Sequence, residues 1–164
     1  MDVEELLEKY AAGERDFSDI TQLGGELIGV NLSEINLSGV SFDFYNLERC
    51  IFSYANLSNT YLSEVYMAQI DLSYANLSRT SMEQSCLERA NLIGADLRET
   101  KLFMATFQFA DMSGADMRGA ILDDTDLREA NLTNANISGV DLSGAIFCNT
   151  IMPDGSIRTD NPSK

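Results

Sequence analysis

The chain has 164 residues and contains neither histidine nor tryptophan. That removes Ser–His–Asp catalysis and histidine-based zinc chemistry. A phosphate-cradling GxxxxGK[ST] loop is also absent. The three cysteines, Cys50, Cys86 and Cys148, do not recur at metal-ligand spacing. Asp123, Asp124 and Asp126 form a carboxylate cluster at a corner and could attract Ca²⁺ or Mg²⁺. Calcium takes about six to eight oxygens from a folded-in loop, so a solvated acidic corner is expected there instead. No catalytic residue, cofactor or resident metal is expected, and the chain reads as non-enzymatic. What remains is binding chemistry. The segment KLFMATFQFADM brings Phe103, Met104 and Phe109 close together, and Tyr66 and Phe44 are further large apolar candidates.

What positions these residues is a repeat. Stepping in fives from Leu27 through Leu32, Leu37 and Phe42 to Met152 and Ile157 gives 27 positions, all Leu, Phe, Met or Ile. The residue two before this centre is alanine in 11 cases and small or β-branched in nearly all others; Tyr45 is the large exception. The residue just before the centre is Asn or Asp in 14 cases. Neither a helical nor a strand period accounts for a strict period of five. Five residues make one side of a square coil, in which the centre and the small residue two before it point inward. Large alternates with small because two large layers would not fit in a narrow tube. Gly and Asn often end the pentad, as at Gly94, Gly114 and Asn134, where a corner with positive φ is expected.

Residues twenty apart then stack. One column reads Asn36, Asn56, Asn76, Asp96, Asp116, Asn136 and is expected to form a polar ladder with local backbone bonds. Thr60, Thr80 and Thr100 point inward, their hydroxyls bound to backbone. Cys50 faces inward, Cys86 and Cys148 outward. Cys50 and Cys86 are ~9 Å apart, beyond disulfide reach. Free thiols agree with a reducing compartment.

The pattern A(D/N)Lxx, seen as ADLRE, ANLTN and ADMSG, resembles the pentapeptide-repeat family over about 80 % of the chain. The resemblance implies an all-β solenoid: a right-handed quadrilateral β-helix with four pentads per coil and about seven coils, ~32 Å long at the spacing of a β-ladder. Residues 1–13 are read as a capping α-helix, with Asp2 and Glu5 as a capping box and Leu6, Leu7, Tyr10 and Ala11 on the covering face. LLEKYAAGERDF also resembles the lead-in of many bacterial members. Residues 14–26 are read as an irregular first coil with Leu23 replacing the out-of-register Gln22, 27–157 as the β-helix and 158–164 as a frayed tail.

The formal charge is −15, which opposes direct binding to nucleic acid or anionic membrane. No secretory signal or membrane span is evident, so a cytoplasmic location is expected. Some members of the family resemble DNA and protect a type II topoisomerase, DNA gyrase, from quinolones; the resemblance therefore implies DNA mimicry as an alternative function. Residues 27–153 carry only −9, whereas ~32 Å of B-DNA carries ~19 negative charges. Arg79, Arg98, Lys101 and Arg118 also interrupt the acidic surface, and the C-terminal dimerisation module of those relatives is not seen. The favoured reading is a protein-interaction or structural scaffold of unknown partner, a monomer or weak homodimer. Its candidate patch is Phe103, Met104, Phe109, Tyr66 and Phe44.

Overall fold

The computed structural model describes residues 1–160. The chain is a β-helix solenoid with one short N-terminal helix. Parallel bridges join residues 20 apart, as in Asn31–Ile51, Asn36–Asn56, Ser41–Tyr61 and Asn46–Tyr66. Each 20-residue circuit thus holds four bridge positions, one per pentad. The faces are numbered from the columns of centres that begin at Leu27 (face 1), Leu32 (face 2), Leu37 (face 3) and Phe42 (face 4), and each corner follows the face of the same number.

The pentad sequence sets the geometry. A centre donates its N–H to the next coil, as Leu92 does to Asp111 O at 2.7 Å. The residue before it donates to the preceding coil, as Asn91 does to Ile70 O at 2.9 Å. The corner closes locally, with Ala95 N–H donating to Leu92 O at 3.0 Å. Every centre from Leu27 to Leu132 is at most 2 % exposed, and burying such a side chain stabilises by about 1.5–3 kcal/mol. Thr60, Thr80 and Thr100 are buried, and each hydroxyl donates to a leucine carbonyl at 2.6–2.8 Å. Tyr45 stays half-buried: its hydroxyl donates to the Leu23 carbonyl and its ring meets Phe42 edge-on at 5.7 Å.

The corner conformation is not confined to Gly and Asn. From residue 29 to residue 139 the second corner residue has positive φ whatever its type, including Phe44 (66°), Tyr54 (60°), Arg79 (60°), Met104 (56°) and Phe109 (61°). The inter-coil ladder imposes a type II-like turn, and residue preference is overridden.

At the N-terminal end helix α1 (Val3–Ala11) covers the core. Asp2 caps it, its side chain accepting from Glu5 N–H at 2.8 Å. Only half of the expected capping box forms, because the Glu5 carboxylate turns to Lys9 at 3.0 Å. Leu6 is buried and Tyr10 donates to Ser33 O at 3.0 Å, but Ala11 is exposed; Val3, packed beside Gly25, takes its place on the covering side. Phe17 and Leu23 fill the first coil, and Gln22 pairs with Ser41, one residue short of the 20-residue step.

At the other end the parallel pairing reaches Asn131–Ile151 and stops. A turn at Pro153–Gly155 reverses the chain, so strand β1 (Thr150–Ile151) pairs antiparallel with β2 (Ile157–Arg158). Ile157, expected inward as the last centre, is consequently 70 % exposed. Within the segment expected to fray, residues 158–160 are held: the Arg158 guanidinium lies 3.8 Å above the Phe147 ring, and Asp160 N–H donates to Phe147 O. Residues 161–164 lie outside the described residues. No helix among the described residues is long and apolar enough to cross a membrane.

Candidate functional site

The corner geometry leaves one backbone group without a ladder partner: the N–H of the residue just after each centre. All 14 Asn or Asp residues that precede a centre accept this N–H on Oδ1. Examples are Ser33 to Asn31 at 3.0 Å, Ile93 to Asn91 at 3.2 Å, Arg98 to Asp96 at 3.1 Å and Ser138 to Asn136 at 3.2 Å. This local Asx turn is why the pentad favours those residues. Lateral side-chain links within the column are fewer; Asn56 donates to Asn36 at 2.9 Å.

These caps are unevenly placed. Eleven of the 14 lie on faces 2 and 3, and three, Asn46, Asp126 and Asp141, on faces 4 and 1. On faces 4 and 1 the other ten positions hold Glu26, Ser41, Tyr61, Tyr66, Ser81, Cys86, Lys101, Thr106, Ile121 and Ile146.

Exposed apolar side chains gather where the caps are missing. Corner 4 holds Phe44 (75 % exposed), Phe103 (39 %) and Met104 (49 %), and corner 1 holds Phe109 (49 %) and Ile28. Tyr66 and Ile146 stand on face 1, Tyr61 and Ile121 on face 4, all exposed. Phe103, Met104 and Phe109 therefore bound face 1 on one coil. Tyr66 is two coils away on that face, and Phe44 is three coils along the Met104 corner. Ile28, Tyr61, Ile121 and Ile146 join the candidates read from the sequence; an apolar residue before or just after a centre was the available signal. Arg89 lies 5.0 Å over the Phe109 ring. The other exposed aromatic pair has an internal use: on corner 2 Tyr54 and Tyr74 stack at 5.1 Å, and Tyr74 covers Gly94, where a Cβ would come within 2.6 Å of the ring.

The structure splits the expected acidic corner. Asp123 and Asp124 stand exposed on corner 4, but Asp126 turns onto face 1 and is 6 % exposed. It accepts from Arg128 and Gln108, both at 2.6 Å. Burial pushes its carboxyl up, but these two donors bring it below the usual range. Arg98 and Arg118 do the same for Asp96 and Asp116, each at 2.6 Å. Among the described residues no group of three acids, cysteines or histidines could hold a metal. Cys50 is buried with its thiol pushed up by burial, and Cys86 and Cys148 are half-buried; all three are free.

A family model described as pentapeptide repeats matches in 8 copies across residues 24–53, 50–89, 87–119 and 110–149. No curated protein matches the chain. Among solved structures, one similar protein is HetL, a pentapeptide repeat protein involved in heterocyst differentiation regulation from the cyanobacterium Nostoc sp. strain PCC 7120. Identity is 22 % over 96 % of this chain and 100 % of that one, with a TM-score of 0.32. A pentapeptide repeat protein from the Arabidopsis thaliana thylakoid lumen is 31 % identical over 54 % of this chain and 65 % of its own, with a TM-score of 0.40. QnrB1, a plasmid-mediated fluoroquinolone resistance protein, is 17 % identical over 86 % of this chain and 88 % of its own, with a TM-score of 0.34.

Proposed function

The chain belongs to the pentapeptide-repeat family, and from that premise we propose that it is a non-enzymatic, cytoplasmic protein-binding scaffold. In this reading the rod is a right-handed quadrilateral β-helix of about seven coils at the usual ladder spacing, a monomer or weak homodimer. Its binding patch is Phe103, Met104 and Phe109, extended by Tyr66 and Phe44.

One observation carries the reading: exposed, large apolar side chains occupy left-handed corner positions. Such a conformation costs a non-glycine residue about 1–2 kcal/mol, and glycine holds it at Gly94, Gly114 and Gly139. Tyr54 and Tyr74 recover some of that by stacking on each other. Phe44 and Met104 stand 75 % and 49 % exposed, and no aromatic pair among the described residues includes Phe44. Strained, exposed apolar groups point to a use outside the fold.

The test is the double change Phe103→Ser, Phe109→Ser. Circular dichroism and the melting temperature should hold, while capture of partner proteins from the native host is lost. Unchanged capture overturns the patch.

The second reading is a DNA-mimicking inhibitor or protector of DNA gyrase. The charge of −15 favours it, while the arginines at 79, 98 and 118 along corner 3 oppose it. Salt-sensitive inhibition of gyrase supercoiling at micromolar protein would put this reading first.

A further inference from the structure

Corner 4 differs from its neighbours in charge as well as in apolarity. Read along the rod, its pairs are Asp43–Phe44, Ser63–Glu64, Glu83–Gln84, Phe103–Met104, Asp123–Asp124 and Ser143–Gly144. Backbone bonds fix this order. Glu64 N–H donates to Glu83 O at 2.9 Å, Gln84 N–H to Phe103 O at 2.8 Å, and Met104 N–H to Asp123 O at 3.1 Å. Phe103 and Met104 therefore lie between Glu83 on one side and Asp123 and Asp124 on the other, one coil away each way. The column contains no Lys or Arg.

Its carboxylates are also uncompensated. Among the described residues Asp43, Glu64, Glu83, Asp123 and Asp124 enter no ion pair, whereas Asp96, Asp116, Asp126 and Glu99 each hold an arginine. A third feature coincides with these two. The N–H groups of Glu83, Phe103 and Asp123 have Ser81, Lys101 and Ile121 two residues before them, so they lack the Asx cap that serves faces 2 and 3.

An occupant that complements all three features needs apolar anchors, flanking cations and carbonyl acceptors. A polypeptide supplies that combination. A second copy of this chain would bring the same carboxylates against themselves, and nucleic acid or an anionic bilayer would meet the same repulsion. We propose that corner 4 and face 1 bind a cationic amphipathic segment of a partner protein. Its apolar side chains seat on Phe103, Met104 and Phe109, and its Lys or Arg residues meet Glu64, Glu83, Asp123 and Asp124. The inference rests on the patch being an interaction surface, as proposed above.

The experiment is fluorescence anisotropy with a labelled synthetic amphipathic peptide of leucine and lysine. Controls are its scrambled sequence and a leucine–glutamate counterpart. The wild-type chain should bind the amphipathic cationic peptide and neither control. Phe103→Ser, Phe109→Ser should weaken binding by about tenfold, as loss of an interface anchor does. Glu64→Gln, Glu83→Gln, Asp124→Asn should weaken it and remove most of its salt dependence. Glu4→Gln, Glu8→Gln, Glu14→Gln removes as many exposed charges from the N-terminal end and should leave binding unchanged. Equal loss in that last variant, or equal binding of the scrambled peptide, overturns the proposal in favour of general attraction to an acidic protein. Preference for the leucine–glutamate peptide, or self-association by size exclusion that Phe103→Ser, Phe109→Ser abolishes, overturns the cationic partner but leaves the patch standing. No effect of the phenylalanine variant on any binding overturns the patch itself.

Discussion

Faces 2 and 3 carry eleven Asx-capped corners; faces 4 and 1 carry three. Nine of the twelve large apolar side chains exposed to solvent lie on faces 4 and 1 and the corners that follow them. Both halves enclose the same column of buried leucine, phenylalanine and methionine. The fold therefore does not need the caps everywhere, and one half of the surface is free of the pentad's own local requirements. Faces 2 and 3 satisfy most of their own corner N–H groups through the caps, and face 3 with its corner also pairs Asp96, Asp116 and Glu99 with Arg98, Arg118 and Arg79. Faces 4 and 1 lack most of the caps, and among the described residues the carboxylates of corner 4 enter no ion pair, while Asp126–Arg128, Glu48–Arg49 and Glu88–Arg89 pair on face 1 and its corner. A solenoid surface can be specialised by relaxing the local rule on some columns while the inward positions stay fixed.

The largest test asks whether the core is as indifferent to the two halves as it looks. Leu92→Ala on face 2 and Leu102→Ala on face 4 should each lose ~2–5 kcal/mol in chemical denaturation. A much smaller loss at Leu102 would mean that faces 4 and 1 are loosely packed as well as differently decorated. Ala95→Leu and Ala105→Leu should follow, each costing ~1–3 kcal/mol, because neither inward position has room. Wild-type stability in either variant would reverse the inward assignment.

The corners give an effect of opposite sign on the two halves. Met104→Gly should stabilise by about 1 kcal/mol, since glycine adopts φ of 56° without penalty. Gly114→Ala on corner 2 should cost about as much at φ of 69°, although its Cβ would meet open space. Equal and null effects would show that the ladder absorbs the strain.

Acid should weaken face 3 through its ion-paired aspartates. Asp96 and Asp116 have carboxyls held below the usual range, mainly by hydrogen bonds from Arg98 and Arg118. Their contribution to stability is complete above the ordinary carboxyl value of about 3.9 and is lost as pH falls through the lower, folded value. Melting temperature measured down a pH series should therefore drop in that window, and Asp96→Asn, Asp116→Asn should flatten the drop. A drop unchanged by the double variant would place the acid sensitivity elsewhere. The smallest expected change is Phe103→Ser, Phe109→Ser, within about 1 kcal/mol of wild type, the loss limited to the Arg89 contact. A larger loss would mean that those rings pack on the rod.

The period of five is legible in the sequence because it is local. Whether Leu92 or Ala95 points inward depends on alternation within five residues, and the centres from Leu27 to Leu132 are buried as that alternation requires. The outward placement of Phe103, Met104 and Phe109 follows from the same count. Asp2 as helix cap was legible too, because capping is a local bond. Other features needed the stacked coils. Asp126 is three residues from Asp123 in sequence but leaves the corner, since Gln108 on the preceding coil and Arg128 reach it on face 1. Tyr74 lies flat only because Gly94, one coil on, lacks a side chain. Ile157 keeps the period and yet is exposed, because the turn at Pro153–Gly155 sends the chain back along β1 instead of onward around the coil. The sequence determined which residues turn inward, since that choice is made within one pentad. The tertiary structure decided which outward residues meet and where the ladder ends, since both depend on a neighbouring coil twenty residues away.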